Sequence, residues 1–443
     1  MKKLDKVLVI ISFLLGTLLY GIDIFKADEI RTPLYSVEKN IDGIKINGYM
    51  ISEDYWNNIL KEHPRVDNYF KYNITNNPEL SIYVERILKS YDIPTYFDSG
   101  SSQSGNRSSD RSQLITPEWV ATVSGSRGGS EEIKGIDTDE NGNIYVVGTF
   151  EGEFEIGATT LSATNESRDI FVAKFDSSYN VSWIMQGEVE GNPNVGGLAA
   201  DNNGNIVVVG KFYNGSVSFG NNFVSGENGN GMFVVKITSD GLILWLTEAT
   251  AEHGPDPKDL VIDSNSNTFI TGNISKDTWF GENYILVSGQ NDVFTTKVDT
   301  NGEFQWAERY GDGSGVNSEV GNGISVDSQN NIYVAASGNN PGDQDGYLLK
   351  YDNDGNLIWG NNIGRSFDIC ISNQDEIYVV NYNGTNSGNN HTRIEKYNIN
   401  GGSIWSESYN SIYAYDALLS CDDSGNIYWS STFEQEITLG NTT

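Results

Sequence analysis

Basic residues are scarce in this 443-residue chain: 28 Lys and Arg stand against 60 Asp and Glu, a formal net charge of −32. So acidic a protein cannot neutralise phosphates by itself, which excludes nucleic-acid binding. With two cysteines, no disulfide framework is expected to hold the fold together. The three histidines, His63, His253 and His391, are scattered, and no HExxH, GxSxG, CxxC or phosphate-binding loop is present. Disorder and a mainly helical fold are excluded by what is abundant instead. Aromatics make up 12% of the chain, with 24 Tyr and 9 Trp, and there are 48 Gly.

The charge is uneven. Residues 1–115 hold 14 basic and 15 acidic residues, a net of −1, whereas residues 116–443 hold 14 and 45, a net of −31. Lys2, Lys3 and Lys6 precede an apolar run from Val7 to Ile22, interrupted at Gly16, Thr17 and Gly21. That is the pattern of a secretory signal peptide or an uncleaved signal-anchor over residues 1–27. The run spans about 24 Å as a helix, short for a hydrocarbon core of about 30 Å. Ala27 suits a cleavage site and Phe25 does not; in either case the rest of the chain is expected outside the cytoplasm.

Residues 28–97 predict a small α-rich module. Ser52-Glu53-Asp54 precede Tyr55, Trp56, Ile59 and Leu60 at helical spacing, and a second helix is expected after Pro78. Residues 98–115 are Ser/Gly-rich and read as a linker.

From residue 116 the chain repeats itself. Five segments that align without gaps end in Lys174, Lys236, Lys297, Lys350 and Lys396, and nine residues after each lies a tryptophan, Trp183, Trp245, Trp306, Trp359 and Trp405. Between Lys and Trp sits a turn rich in Asp, Asn and Gly, so each unit is a β-hairpin of fixed turn length. Upstream of each lies a second hairpin, of which Asp139-Glu-Asn-Gly-Asn-Ile-Tyr and Asp201-Asn-Asn-Gly-Asn-Ile-Val are the clearest copies. The repeat steps by 62, 62, 64, 45 and 50 residues, and the short copies lack an element of the Phe219-Gly220 or Phe280-Gly281 type. About four strands per repeat, apolar on both faces, predict radially stacked sheets: a mainly β fold, a β-propeller of about six or seven blades over 116–443 with the last one incomplete. After Gly440 the spacing requires a Lys and a Trp beyond Thr443, which reads as a fragment or as a short last blade. Trp119 reads as a lone final strand placed before the first full unit.

The pattern G-N-I-Y-V-V-G, then D-I-F-V-A-K-F-D, then a turn and Trp, resembles the bacterial SBBP-type β-propeller repeat family over roughly 119–443. The resemblance implies an extracytoplasmic propeller and no single activity. The quinoprotein-type propeller also ends its repeats in a turn Gly and a Trp, but its Ala and Thr-Gly before the Trp are absent here.

The five Lys read as structural ion pairs with an Asp in a neighbouring blade's turn, and the five Trp as packing between blades. Asp137, Asp139 and Asn141, followed by Gly142, have the alternate-oxygen spacing of a calcium loop, although Gly148 stands where a bidentate Glu is required. Apart from that calcium candidate no cofactor is expected. Cys370 and Cys421 sit in equivalent strands with an offset of one residue, on opposite faces, so no disulfide is expected between them. These readings predict a non-catalytic, monomeric surface or secreted module that binds a protein or a neutral glycan. It would meet the membrane only through residues 1–27, where these remain uncleaved. The alternative is a propeller enzyme, a glycan hydrolase or lyase with acids in the central funnel.

Overall fold

The structure is a computed structural model. It describes residues 37–40, 43–46, 49–51, 59, 61, 124–125, 131–164, 167–226, 228–311, 318–338, 346–384, 390–410, 417–422 and 425–430. The chain divides into two compact units, Lys26–Thr116 and the remainder. In the first, Val37–Asn40, Gly43–Ile46 and Tyr49–Ile51 form a three-stranded antiparallel sheet where the sequence predicted an α-rich module. Ile59 and Lys61 are helical. The second helix after Pro78, the linker 98–115, the segment 1–27, Trp119 and residues 431–443 lie outside the described residues. Among those described, no helix is long and apolar enough to cross a membrane.

The second unit is built of antiparallel sheets in sequence order, one per repeat, which we call blades. Blade 3 pairs Asp256–Ile262, Thr268–Ile274, Asp292–Val298 and Phe304–Tyr310 in that order. Blade 4 uses Glu319–Val326, Ile332–Gly338, Gly346–Tyr351 and Leu357–Asn362, and blade 5 Arg365–Ile371, Ile377–Gly384, Asn390–Tyr397 and Ser403–Asn410. Leu418–Cys421 and Ile427–Ser430 pair as the first two strands of a sixth sheet.

Blades 1 and 2 share one long strand, Val181–Ala200. Its first part pairs with Arg168–Phe175 as the outer strand of blade 1, beside Ile144–Glu151 and Glu132–Thr138. Its second part pairs with Ile206–Phe219 as the inner strand of blade 2, which continues to Gly231–Ile237 and Ile243–Ala251.

Every second strand is apolar on both faces because each face belongs to a different core. Side chains alternate along a strand, so Ile206 and Val208 pack with Tyr145, Val147 and Val172 of blade 1. Val207 and Val209 pack with Ile270 and Phe294 of blade 3. Further cores follow between blades 3 and 4, 4 and 5, and 5 and the sixth sheet. Each fully buried Val, Ile or Phe contributes about 1.5–3 kcal/mol, so the interfaces between blades carry most of the apolar stabilisation.

Two irregularities recur in all five blades. A bulge breaks the inner strand next to Gly135, Gly197, Asp259, Gly323 and Asp368. A second follows each Lys–Trp pair, which face one another across the third and outer strands. The eight residues between Lys and Trp are thus one pair flanking a five-residue connection, plus one bulged residue.

Blades 1 to 3 carry an extra hairpin that has no counterpart among the described residues of blades 4 and 5, in keeping with their shorter repeats: Glu153–Ile156 with Thr159–Ser162, the end of Ile206–Phe219 with Asn222–Val224, and Thr278–Phe280 with Asn283–Ile285. The blade 3 hairpin adds to the outer strand of blade 2, with Thr250 opposite Trp279 and Ala251 opposite Thr278. The blade 1 hairpin pairs in the same way with Ser124–Gly125, Ser124 opposite Glu155 and Gly125 opposite Phe154. Ser124 stands as far beyond Trp119 as Thr250 beyond Trp245. Residues 124–125 therefore occupy the place of an outer strand preceding blade 1.

One expectation is overturned outright. Cys370 and Cys421 form a disulfide, with Cα atoms 5.9 Å apart. Their positions on opposite faces of equivalent strands are what brings them together. The face of blade 5 that meets the sixth sheet carries Cys370, Tyr378 and Val380, and the facing surface of the sixth sheet carries Leu419 and Cys421.

Candidate functional site

Three carboxylates sit on inner strands of alternate blades. Asp137 accepts N–H groups from Thr138 and, on blade 2, Ala200, both at 2.8 Å. Asp259 accepts from Leu260 and, on blade 4, Ile324, again at 2.8 Å. Asp368 accepts from Ile369 at 2.8 Å and from Leu419 of the sixth sheet at 2.7 Å. Gly323 makes room for the last of these: a Cβ there would lie 2.5 Å from Asp368 Oδ1. Burial raises the pKa of Asp137 above the usual carboxylate range. Burial pushes Asp259 to about 7, its two N–H partners oppose the shift, and the charge of Asp137 adds to it. Burial and then the charge of Asp259 hold Asp368 well above its ordinary value. Sequence reasoning named Asp137 only as a calcium candidate and missed the other two. Their signal was an acid beside the inner-strand bulge, where blades 1, 2 and 4 have Gly.

The turn around Asp139 is closed by its own side chain. Asp139 is 5% exposed. Its Oδ1 accepts the N–H groups of Asn141 and Asn143 at 2.9 and 3.0 Å, and its Oδ2 accepts from Asn143 Nδ2 at 2.7 Å and Tyr145 OH at 3.1 Å. Asp201, Asp263 and Asp327 repeat this pattern, and Ser372 Oγ substitutes in blade 5. The repeats after the first lack an acid two residues upstream, so the turn forms without Asp137. Asp137 itself reaches across to blade 2. Among the described residues no three His, Cys, Asp or Glu side chains are grouped to hold a metal ion.

The Lys residues are placed differently from the sequence expectation. Their acidic partners lie in their own blade: Lys236 Nζ is 3.3 Å from Asp201, Lys350 3.8 Å from Asp327, and Lys396 2.6 Å from Glu376. Four of them lie over an aromatic ring of their own blade: Lys174 over Tyr145, Lys297 over Phe269, Lys350 over Tyr333 and Lys396 over Tyr378. What they offer the next blade is mainly a hydrogen bond to a main-chain carbonyl, as from Lys174 to Ser239 O at 2.9 Å; Lys297 also donates to the side-chain oxygen of Asn353. The Trp indoles do the same and pack between blades as expected. Trp183, Trp245 and Trp306 donate to Ser239, Thr300 and Asn353 carbonyls at 2.9–3.0 Å.

The extra hairpin of blade 3 carries an aromatic pair that the repeat does not require. Trp279 and Tyr284 face each other across it, ring centroids 4.5 Å apart, each 47% exposed. The matching positions are Glu155 and Thr160 in blade 1 and Ser218 and Phe223 in blade 2. Asp277 braces the hairpin by accepting from Tyr284 OH at 3.1 Å and from Val287 N–H at 3.0 Å. Cross-strand rings on an exposed hairpin, their planes inclined by 36°, offer an apolar aromatic surface beside a carboxylate.

Residues 305–343 match the family model of the SBBP β-propeller repeat. They run from the outer strand of blade 3 through the second strand of blade 4. An uncharacterized WD repeat-containing protein of Acanthamoeba polyphaga mimivirus is 24% identical, with 59% of this chain and 25% of that protein covered. The chain thus spans about a quarter of that relative's length. Among solved structures, a protein of unknown function from Bacteroides caccae is similar at 14% identity and TM-score 0.36, covering 58% of this chain and 78% of that one. A polysaccharide lyase described as an ulvan lyase is similar at 13% identity and TM-score 0.39, covering 68% and 76%. A Hadza microbial sialidase is similar at 10% identity and TM-score 0.37, covering 65% and 60%.

Proposed function

We propose that this chain, which carries the SBBP β-propeller repeat, is a non-catalytic binding module of the extracytoplasmic space that takes a neutral glycan on the Trp279–Tyr284 hairpin. The observation that carries the reading is the half-exposed aromatic pair itself, set on a hairpin whose counterparts in blades 1 and 2 have no such pair. Ring stacking supplies the contact, and the Asp277 carboxylate beside it supplies an acceptor for sugar hydroxyls. A net charge of −32 repels anionic glycans and leaves neutral ones unaffected. The Cys370–Cys421 disulfide supports the location, because such bonds persist in oxidising compartments, and so does the apolar run after Lys2, Lys3 and Lys6.

A second reading, an enzyme acting on glycans, has one observation in its favour: the inner-strand carboxylates Asp137, Asp259 and Asp368 with raised pKa values. Against it, each carboxylate accepts two main-chain N–H groups and bridges to the next blade. A neutral-glycan array separates binding from non-binding: signal with the wild type that Trp279→Ala removes is the expected result. Signal confined to sulfated or uronic-acid glycans, or unchanged in the variant, contradicts the proposal.

A further inference from the structure

The Lys–Trp pairs of blades 1 and 3 act as two-donor clamps on the blade that follows, and in blades 2 and 4 one donor of the pair reaches the same turn. Lys174 Nζ and Trp183 Nε1 converge on Ser239 O at 2.9 and 3.0 Å. Lys297 Nζ and Trp306 Nε1 converge on Asn353 O at 3.4 and 3.0 Å. Trp245 Nε1 donates to Thr300 O at 2.9 Å while Lys236 Nζ turns to Ser266 O at 3.4 Å, and Lys350 Nζ donates to Ile399 O at 3.4 Å. The carbonyls of Ser239, Thr300, Asn353 and Ile399 each lie two residues before a glycine at positive φ, Gly241, Gly302, Gly355 or Gly401. That glycine rests on the indole: at Gly355 a Cβ would stand 2.7 Å from Trp306 Cδ2. The residue between carbonyl and glycine is Asp240, Asn301, Asp354 or Asn400. The clamp therefore recognises a backbone shape, a carbonyl followed by Asp or Asn and a left-handed glycine, and tolerates Ser, Thr, Asn or Ile at the carbonyl position.

Blade 5 has both donors in place and, among the described residues, nothing in the clamp. Lys396 faces Trp405 across the strands, held over the Tyr378 ring and against Glu376 much as Lys350 is held over Tyr333 and near Asp327. Yet Trp405 is 40% exposed, and among the described residues its N–H meets no acceptor and no glycine turn covers its ring. Its outer strand is exposed from Ser403 through Ser408, whereas Trp183, Trp245, Trp306 and Trp359 are all half-buried.

We infer that the Lys396–Trp405 edge is a docking surface for one more hairpin of this repeat type, a strand pair joined by a turn of the form X-(Asp/Asn)-Gly. The occupant follows from continuity with the interfaces between blades 1 to 5, where that turn is met by both donors twice and by one of the two at the other two interfaces. The inference is independent of the glycan reading.

A cyclised, fluorescently labelled peptide of residues 346–362, whose Asn353–Gly355 turn fills the Trp306 clamp, is the probe. Titrated with the full chain, it should bind saturably. Trp405→Ala in the protein and Gly355→Val in the peptide should each weaken binding by about tenfold or more, a typical hot-spot loss. Trp405→Phe, which keeps the ring and removes the donor, should weaken it by less, and Trp279→Ala should leave it unchanged. Binding insensitive to both Trp405 variants, or no saturation at millimolar peptide, overturns the proposal. A concentration-dependent dimer that Trp405→Phe abolishes, with no peptide binding, overturns this occupant in favour of a second copy of the chain.

Discussion

Gly302 of blade 3 lies flat on the Trp245 indole of blade 2, so close that a Cβ on the glycine would stand 2.9 Å from Cδ2 of the ring, and Trp245 donates its N–H to Thr300 O in the same turn. The contact fixes two residues at once. Gly302 has φ of +88°, which a side chain resists. Trp245→Ala should lower stability by about 3 kcal/mol, the low end for a large aromatic because the ring is only half-buried. Gly302→Ala should cost about 1–3 kcal/mol through strain at positive φ and displacement of the indole. Urea unfolding checks both, and a loss below about 0.5 kcal/mol for both would mean that the clamps do not hold the blades together.

The disulfide ties the inner strand of blade 5 to the sixth sheet across 51 residues of chain. Chain entropy for a loop of that length gives up to about 4 kcal/mol. Cys370→Ser with Cys421→Ser should destabilise the protein by about 2–4 kcal/mol and loosen residues 417–430 first, as read by amide hydrogen exchange. Two titratable thiols in the native protein purified without reductant would contradict the bond.

Acidification should relieve the inner strands. Asp259 titrates near 7 in the folded protein and near 4 in the unfolded chain. A carboxyl whose folded pKa is raised costs stability when ionised, so the penalty is full above pH 7, falls as the pH drops through 7, and is gone below about 4. The raised values of Asp137 and Asp368 act in the same direction. Tm should rise between pH 8 and pH 5.5 and rise less in Asp259→Asn, which stays neutral throughout. Comparison with the variant separates this effect from the relief of overall charge repulsion. Equal slopes would contradict the assignment.

Asp139→Ala removes the acceptor for two turn N–H groups and for Tyr145 OH. The expected cost is about 2 kcal/mol, mainly from donors left unpaired. The calcium expectation for Asp137, Asp139 and Asn141 is checked in the same melts. Stabilisation by millimolar calcium that the variant removes would support it; the same cost with and without calcium would assign Asp139 to the turn alone.

The repeat made the strands legible because every second strand is apolar on both faces and every turn carries Asp, Asn or Gly. Lys236 and Trp245 were found by spacing alone, and the structure gives the spacing its cause in a turn plus one bulged residue. What spacing could not show is which blade a side chain faces. Lys236 was expected to reach a neighbouring blade's Asp, yet register and the twist of its strand bring it to Asp201 of its own. The same blindness hid the disulfide: opposite faces of equivalent strands separate two cysteines within one sheet and bring them together across two. Asp259 and Asp368 were illegible because the inner-strand bulge that aims them has no composition of its own. The three-stranded sheet at Val37–Ile51 went unseen beside the stronger helical spacing that follows it.

Titration calorimetry of a neutral glycan drawn from the array, with product analysis of the same mixtures, tests the binding reading most directly. The wild type should bind at both 50 mM and 500 mM salt with little change, since no charge pairing is involved (the Debye length falls from about 14 Å to about 4 Å between the two conditions), and should release no shortened or unsaturated sugar. Trp279→Ala should lose the binding, while Asp259→Asn should keep it. Turnover that Asp259→Asn abolishes, or binding that Trp279→Ala leaves intact, would contradict a non-catalytic module that reads its ligand at the blade 3 hairpin.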